Sequence, residues 1–278
     1  NDLRDTGIRT LSNFNEQEFL VLWSVVEPVL LPEWTFGRGR KHKTTAKDAF
    51  FMMLVVLKHF DTWVKHAADF SMNPPTFQKM IEKVFDIVEP VLVTEFIKPT
   101  TMATQLRDGQ RFRHHPFALY ALDVKFQPAF RPGGRFNEKK HYFSGKHKLY
   151  GFKVECAVAL PGVAVHVSRH YTGAVSDLSI ALENKDTHKA MLKKTEDEQN
   201  DIDYAEGAPA YPSSWAILAD KGYQGLQSAL RTIHPKKKPR GGELTVEDFE
   251  RNSRVSSDRV IVENYFGRVC SLWRTMSS

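Results

Sequence analysis

Between Asn15 and Leu31 apolar residues recur at intervals of three and four, with Phe19, Leu22, Trp23 and Val26 on one face. That spacing predicts a helix, which Pro28 and Pro32 should end. The polar stretch Gly37-Arg38-Gly39-Arg40-Lys41-His42-Lys43 reads as a loop. Thr45 is placed to cap a helix from Ala46 to about His59, with Asp48 where a capping box carries Glu. A shorter helix, Thr62 to Phe70, turns Trp63 and Ala67 inward, and Ser71 to Pro75 is a turn. Thr76 then caps a helix carrying Phe77, Met80, Ile81, Val84 and Phe85. Helix, short helix, tight turn and helix is the outline of a helix-turn-helix, whose last helix would present Thr76, Gln78, Lys79 and Lys83 to base edges. A small bundle that only packs on the rest of the chain has the same outline.

From about Pro116 the period changes to two. Phe117 to Asp123 reads as a strand ending in an acid. Tyr150 to Leu160 alternates, with Phe152, Val154, Cys156 and Val158 on one face and Glu155 on the other, facing solvent or an ion pair. Pro161-Gly162 turns the chain into a strand from Val163 to Tyr171. Ser176-Asp177 caps a helix through Leu182. Lys185 to Glu206 is charged and irregular, and is expected to be an exposed excursion whose acids are solvated. Trp215 to Asp220 is a second strand ending in an acid, and Asp258 to Arg274 is a helix bearing Val262, Phe266, Val269 and Trp273. Three antiparallel strands followed by helix and strand crossovers indicate an α/β layered fold. The order of elements matches a ribonuclease H-like mixed sheet with flanking helices, preceded by an all-α, helix-turn-helix-like region. The expected division is residues 1–115 and 116–278.

Composition narrows the function. The chain has 278 residues, 41% hydrophobic and 26% charged, enough to bury a sizeable core. Its formal charge of +6 favours a polyanionic partner. The two cysteines, Cys156 and Cys270, form no CxxC pair, which excludes a cysteine zinc site and argues for a reducing, intracellular setting. There is no secretory signal, and the longest apolar run, near Phe50 to Leu57, is about half a membrane span. Starting without Met and ending at Ser278 soon after a helical pattern is expected of a piece of a longer protein.

The chemistry rests on the acids. Asp123 and Asp220 follow apolar strands, and sites in open α/β sheets lie at strand carboxyl ends. Glu263 follows Val262 on the last helix, expected to lean to its apolar side, with Arg259 one turn earlier. Three hard oxygen donors suit Mg²⁺ or Mn²⁺, and two such ions would act on a phosphodiester. Asp177 reads either as a fourth acid at the metal or, favoured here, as an acid at a helix N-terminus. His114 and His115 read as surface histidines.

Several segments resemble the DDE superfamily endonucleases of the PIF/Harbinger type. Ile217-Leu218-Ala219-Asp220-Lys221-Gly222-Tyr223 is similar to the second-Asp motif, and Arg259 to Gly267 to the third-acid helix. Tyr142 to Lys148 and Tyr171 to Asp177 resemble the approaches to the second strand and the following helix. Pro235-Lys236-Lys237-Lys238 and Asn252 fall where that family has a Pro-Lys loop and an Asn. The resemblance implies a cut-and-paste transposase that binds the inverted repeats of double-stranded DNA, cuts them and joins 3′ ends to a target. Its metal-binding triad would be Asp123, Asp220 and Glu263. It also implies a homo-oligomer on DNA and a separate Myb-like partner. The expected DNA contacts are Gln78, Lys79, Lys125, Lys146, His147, Lys148 and Arg259. Pro235 to Arg240 resembles a nuclear import signal, so the expected location is the nucleus. The sequence departs from the family at Val124-Lys125, after the first Asp, and at Cys270. A domesticated descendant that binds DNA or a protein partner without cutting is the alternative.

Overall fold

The computed structural model describes residues 2–36 and 43–277; the expected loop from Gly37 lies outside them up to His42. The chain divides into two compact units, one running through Ile97 and resumed from Arg268, the other Lys98–Gly267. The division therefore falls at Ile97/Lys98, where the sequence reading placed it at 115/116.

The first unit is helical: α1 Asp2–Ser12, α2 Glu16–Thr35, α3 Ala46–His59, α4 Trp63–Asp69 and α5 Pro74–Phe96. Asn15 opens α2 with a reciprocal capping box to Glu18. Contrary to the expected stop, α2 runs through Pro28 and Pro32. A proline inside a helix costs about 3 kcal/mol, but the buried stripe Phe19, Trp23, Val26, Leu30, Trp34 continues past both. Burying Leu30 and Trp34 at about 1.5–3 kcal/mol each offsets much of that cost. Thr45 caps α3 as its spacing predicts, and Thr62, expected inside the short helix, caps α4. Helix α5 begins at Pro74 rather than after Thr76, because proline suits the first helical positions. Phe50, Met53, Phe77, Ile81 and Val84 join the α2 stripe in one core, against which Trp273 packs.

The second unit contains α6 Met102–Arg107, β1 Ala118–Pro128, α7 Phe136–Lys140, β2 Phe143–Ser144, β3 Leu149–Ala159, β4 Val163–Thr172, α8 Asp177–Glu183, α9 Lys185–Leu192, β5 Ala216–Leu218, β6 Thr232–Ile233 and α10 Val246–Leu272 as far as Gly267. Strand β3 pairs antiparallel with β1 and β4, while β5 pairs parallel with β1 and β6. The order β4-β3-β1-β5-β6, with β2 on the start of β3, is a mixed sheet with flanking helices, consistent with a ribonuclease H-like domain. One face packs Tyr120, Leu122, Ala157 and Ile217 with Ala181 and Leu192 of α8 and α9. The other packs Ala121, Cys156, Val158 and Leu218 with Val255, Ile261 and Val262 of α10.

Two expectations need correction. Lys185 to Glu206 is not a solvated excursion. Its first eight residues form α9, and two of its acids are used inside: Asp203 takes Lys194 and Arg231, while Glu198 accepts from Ala103 N at 3.1 Å and Trp215 Nε1 at 3.1 Å; Glu196, Asp197 and Asp201 are exposed, as expected. Buried cations need such partners, which an acidic run supplies without any apolar periodicity to reveal it. Helix α10 begins twelve residues before Asp258, because Thr245 caps it by accepting from Asp248 N at 3.1 Å.

Candidate active site

The parallel ladder between β1 and β5 ends with the pair Ala121–Leu218. Asp123 and Asp220 each lie two residues beyond it, so the register sets them beside one another on the α10 face. Strand β1 does not stop at Asp123 as expected; it continues to Pro128 because β3 goes on pairing with it. What ends near the acid is the parallel ladder. There the chain leaving β5 folds into a turn over Lys221–Tyr223, and the Asp220 carboxylate caps it by accepting from Gly222 N. A Cβ on Gly222 would lie 2.8 Å from Asp220 Oδ1 and 3.3 Å from Asp177 Oδ2, so the glycine lets both acids close over the turn.

Asp123 is poorly compensated. Oδ1 accepts from Val124 N at 2.8 Å and Oδ2 from Arg259 Nη2 at 3.5 Å. Burial pushes its carboxyl up to about 6; Arg259 and the Val124 N–H pull the other way, and the charges of Asp220 and Asp177 add to the rise. Asp177 belongs to this cluster as well as to the start of α8. It accepts from buried Lys153 at 2.8 Å, and Lys153 also donates to Val175 O at 2.7 Å. Taking Asp177 as an acid at a helix N-terminus leaves out Lys153, its ion-pair partner. The available signal was a lysine two residues before Glu155 on one face of an otherwise apolar strand. Tyr223 ends the turn that Asp220 caps, its hydroxyl buried with no partner among the described residues. Burial, reinforced by Glu155, Asp123, Asp177 and Asp220, pushes it well above the usual tyrosine range.

Glu263 is brought near but not in. Ile261 and Val262 occupy the core, and a helix turns about 100° per residue, so Glu263 faces outward with 59% of its side chain exposed. This corrects the expectation that it leans to the apolar side. Its Oε1 lies 4.0 Å from Arg259 Nη1, so one guanidinium links Glu263 and Asp123. Arg259 was expected to meet DNA, but it is 8% exposed and directed at the two acids. Among the described residues no three His, Cys, Asp or Glu side chains are arranged to hold a metal. The donor chemistry nonetheless fits a hard divalent cation. Asp123 and Asp220 are adjacent carboxylates, the Asp123 carboxyl is raised by burial with a smaller contribution from the Asp220 charge, and the cation in contact with it is at a long 3.5 Å.

A cationic rim borders the acids. The His147 ring stacks on Phe126, centroids 4.4 Å apart and planes 2° apart. Burial, then Lys146, Lys153 and Lys125, lowers its pKa against the pull of Asp177, which brings Lys125, Lys146 and His147 into one electrostatic neighbourhood with the acid cluster. Lys148 follows in the same exposed turn with φ +59°. Gln78 and Lys79 lie in the helical unit, where Gln78 donates to Glu82 at 2.7 Å and Lys79 is exposed. Lys83 is occupied within that unit, donating to Glu33 O at 2.8 Å and covering the Trp34 ring. His115 is not a surface histidine. Its Nδ1 lies 2.9 Å from Asp258 Oδ2, which also accepts from His114 N, and these bonds tie the approach to β1 to α10.

Among the described residues no helix is long and apolar enough to cross a membrane. No solved structure matches the chain. The "Probable transposase for insertion sequence element IS702" of Microchaete diplosiphon is 21% identical over 227 residues, covering 81% of this chain and 70% of that protein. Residues 126–278, more than half of the chain, match the family described as DDE superfamily endonuclease. A carboxylate pair at the end of a parallel ladder, a basic rim beside it and that match agree: the chain belongs to the DDE superfamily endonucleases.

Proposed function

We propose that this chain is a DNA transposase of the PIF/Harbinger type, cutting phosphodiester bonds at transposon ends and joining 3′ ends to target DNA. The observation that carries the reading is the register that sets Asp123 and Asp220 side by side beyond the last parallel pair. The motif order in the sequence and the similarity to an insertion-element transposase support it. Asp123 and Asp220 would hold Mg²⁺ or Mn²⁺, with Glu263 as third ligand once its side chain leaves Arg259. Two such ions supply Lewis acidity to the phosphoryl group undergoing displacement. Arg259 keeps the acids oriented, and Lys125, Lys146, His147 and Lys148 hold the phosphate backbone. Gln78 and Lys79 would read double-stranded DNA from a helix-turn-helix formed by α3, α4 and α5. The basic segment Pro235 to Arg240 supports action in the nucleus, and the resemblance supports a homo-oligomer working with a Myb-like partner.

The test is cleavage of a DNA fragment carrying the element's ends, with Mg²⁺, with Mn²⁺ and with chelator, for wild type beside Asp220→Asn. Metal-dependent cleavage lost in the variant is expected; equal cleavage by both proteins refutes the assignment. One observation favours a second reading, a DNA-binding or interaction protein that no longer cuts: Arg259 lies between Asp123 and Glu263. That reading expects salt-dependent DNA binding and no cleavage with any metal.

A further inference from the structure

The connection between β1 and β2 carries two exposed phenylalanines among several basic residues. The Phe130 side chain is 99% exposed and Phe136 is 70% exposed. Neither ring meets another aromatic ring among the described residues, and α7, which Phe136 begins, buries none of its residues. Exposing two phenylalanines forgoes several kcal/mol of burial, so the fold does not account for them. The segment still has a defined shape. Ala129 N donates to Tyr150 O at 2.8 Å, and the Arg131 guanidinium lies 5.7 Å from the Tyr150 ring centre. Arg135 N donates to Glu138 Oε2 at 3.1 Å, and Gly134, at φ +101°, leaves room for that carboxylate where a Cβ would stand 2.7 Å from it. The two rings thus flank a Gly133-Gly134 bend held from both sides.

The surroundings select the occupant. Arg131, Arg135, Lys139 and Lys140 lie within this connection against the single acid Glu138. Isolated aromatic rings among cations fit base faces bordered by phosphates, and they do not fit an apolar protein surface, which needs a contiguous patch. The strand also sets the reach. Asp123 and Pro128 are five residues apart on β1, about 17 Å of strand, the length of about five base pairs.

We propose that the Phe130–Phe136 connection is a DNA wedge. The two rings enter and unstack a base step of the duplex a few base pairs from the cut, and Arg131, Arg135, Lys139 and Lys140 grip the flanking phosphates. This rests on the reading of the chain as a DNA-cutting enzyme and adds a distortion step to it. Unstacking costs a few kcal/mol and is cheapest where bases are already unpaired.

The experiment measures anisotropy of labelled duplexes of about 30 base pairs, fully paired or with a central two-base mismatch, compared at matched salt across a salt series. The full chain is compared with Phe130→Ala, Phe136→Ala, the double variant and Arg131→Gln/Arg135→Gln; all four sites are exposed, so folding is preserved. Wild type should bind the mismatched duplex about tenfold more tightly than the paired one. The double phenylalanine variant should lose that preference while its affinity for paired DNA stays within about threefold, and the arginine variant should weaken both and flatten the salt dependence. A double variant that keeps the preference, or a wild type without one, overturns the wedge while leaving the DNA-cutting reading intact. Wild type that binds neither duplex overturns that reading itself. A change in the sedimentation of the DNA-free protein on removing the rings shows a protein occupant and also overturns the wedge.

Discussion

Two acids on neighbouring strands of one sheet, Asp123 on β1 and Glu155 on β3, meet opposite fates. Glu155 pairs in register with Val124, so it projects from the face opposite Asp123. It is fully buried, contrary to a solvent-facing expectation. Its Oε1 accepts from Asn184 Nδ2 at 2.8 Å and meets His188 Nε2 at 3.1 Å. Those partners are held in turn by Tyr171 and Tyr120, the latter 2.8 Å from His188 Nδ1. Asp123 is 23% exposed and has one backbone donor and one distant guanidinium. The acid deep in the core is woven into a network that joins β1, β3 and the start of α9, while the acid at the rim is crowded by like charge. A carboxylate kept short of partners is available to a cation and to substrate, whereas one with buried partners holds elements together.

The comparison can be broken by substitution. The largest effect is expected at the rim: Asp220→Asn or Asp123→Asn should lower cleavage by roughly 1,000-fold or more, since metal-assisted charge stabilisation supplies several kcal/mol. Circular dichroism should show the fold retained. Glu155→Ala should do the reverse, costing about 3–5 kcal/mol of stability as its buried partners are orphaned. Chemical denaturation measures that loss, and cleavage per folded molecule should stay near wild type; a stable Glu155→Ala protein that fails to cut would place Glu155 in the chemistry.

Gly222→Ala sharpens the contrast. The added methyl displaces the Asp220 and Asp177 carboxylates, and misplacement of about an ångström can cost about 100-fold in rate. Little loss of stability should accompany it; unchanged kinetics would mean that the turn does not position the acids.

The pH dependence of stability gives a further, smaller effect. The Asp123 carboxyl titrates near 6 in the folded chain against 3.8 ordinarily, so the folded state binds this proton more tightly than the unfolded state. Its contribution to stability is fully present below about pH 4 and is lost as pH climbs through about 6. Asp123→Asn should remove that decline and be the more stable protein above pH 6 by about 3 kcal/mol without metal, as read from denaturation curves across pH. A wild type whose stability rises through this window would contradict the burial that raises this carboxyl.

The smallest effect separates packing from recognition in α5. Lys83→Ala should cost about 1 kcal/mol by losing its bond to Glu33 O and its contact with Trp34. DNA affinity should change less than with Lys79→Ala; an equal loss from both would return Lys83 to the DNA-facing set.

Local signals carried some of this molecule. The caps at Thr45, Thr62 and Ser176, the alternation of β3, the turn into β4 and the apolar approaches to Asp123 and Asp220 all follow from residues close in sequence. The helical stretch after Thr245 was missed because its first turns are polar and only Val255 marks the buried side. The expected stop at Pro28 fails because the prolines' cost is local, whereas the burial of Leu30 and Trp34 that offsets much of it comes from α3 and α5.

By itself, then, the sequence determined the element types, the α/β order and the placing of two acids after apolar strands, because periodicity and capping act over a few residues. The tertiary structure alone decided how those acids are used. The β1–β5 register set Asp123 beside Asp220, buried Lys153 drew Asp177 to them, and Arg259, not solvent or DNA, came to lie between Asp123 and Glu263. The physical reason is that a charge is governed by what surrounds it within a few ångströms, and those neighbours come from residues up to 140 positions away along the chain, as Asp123 and Glu263 are.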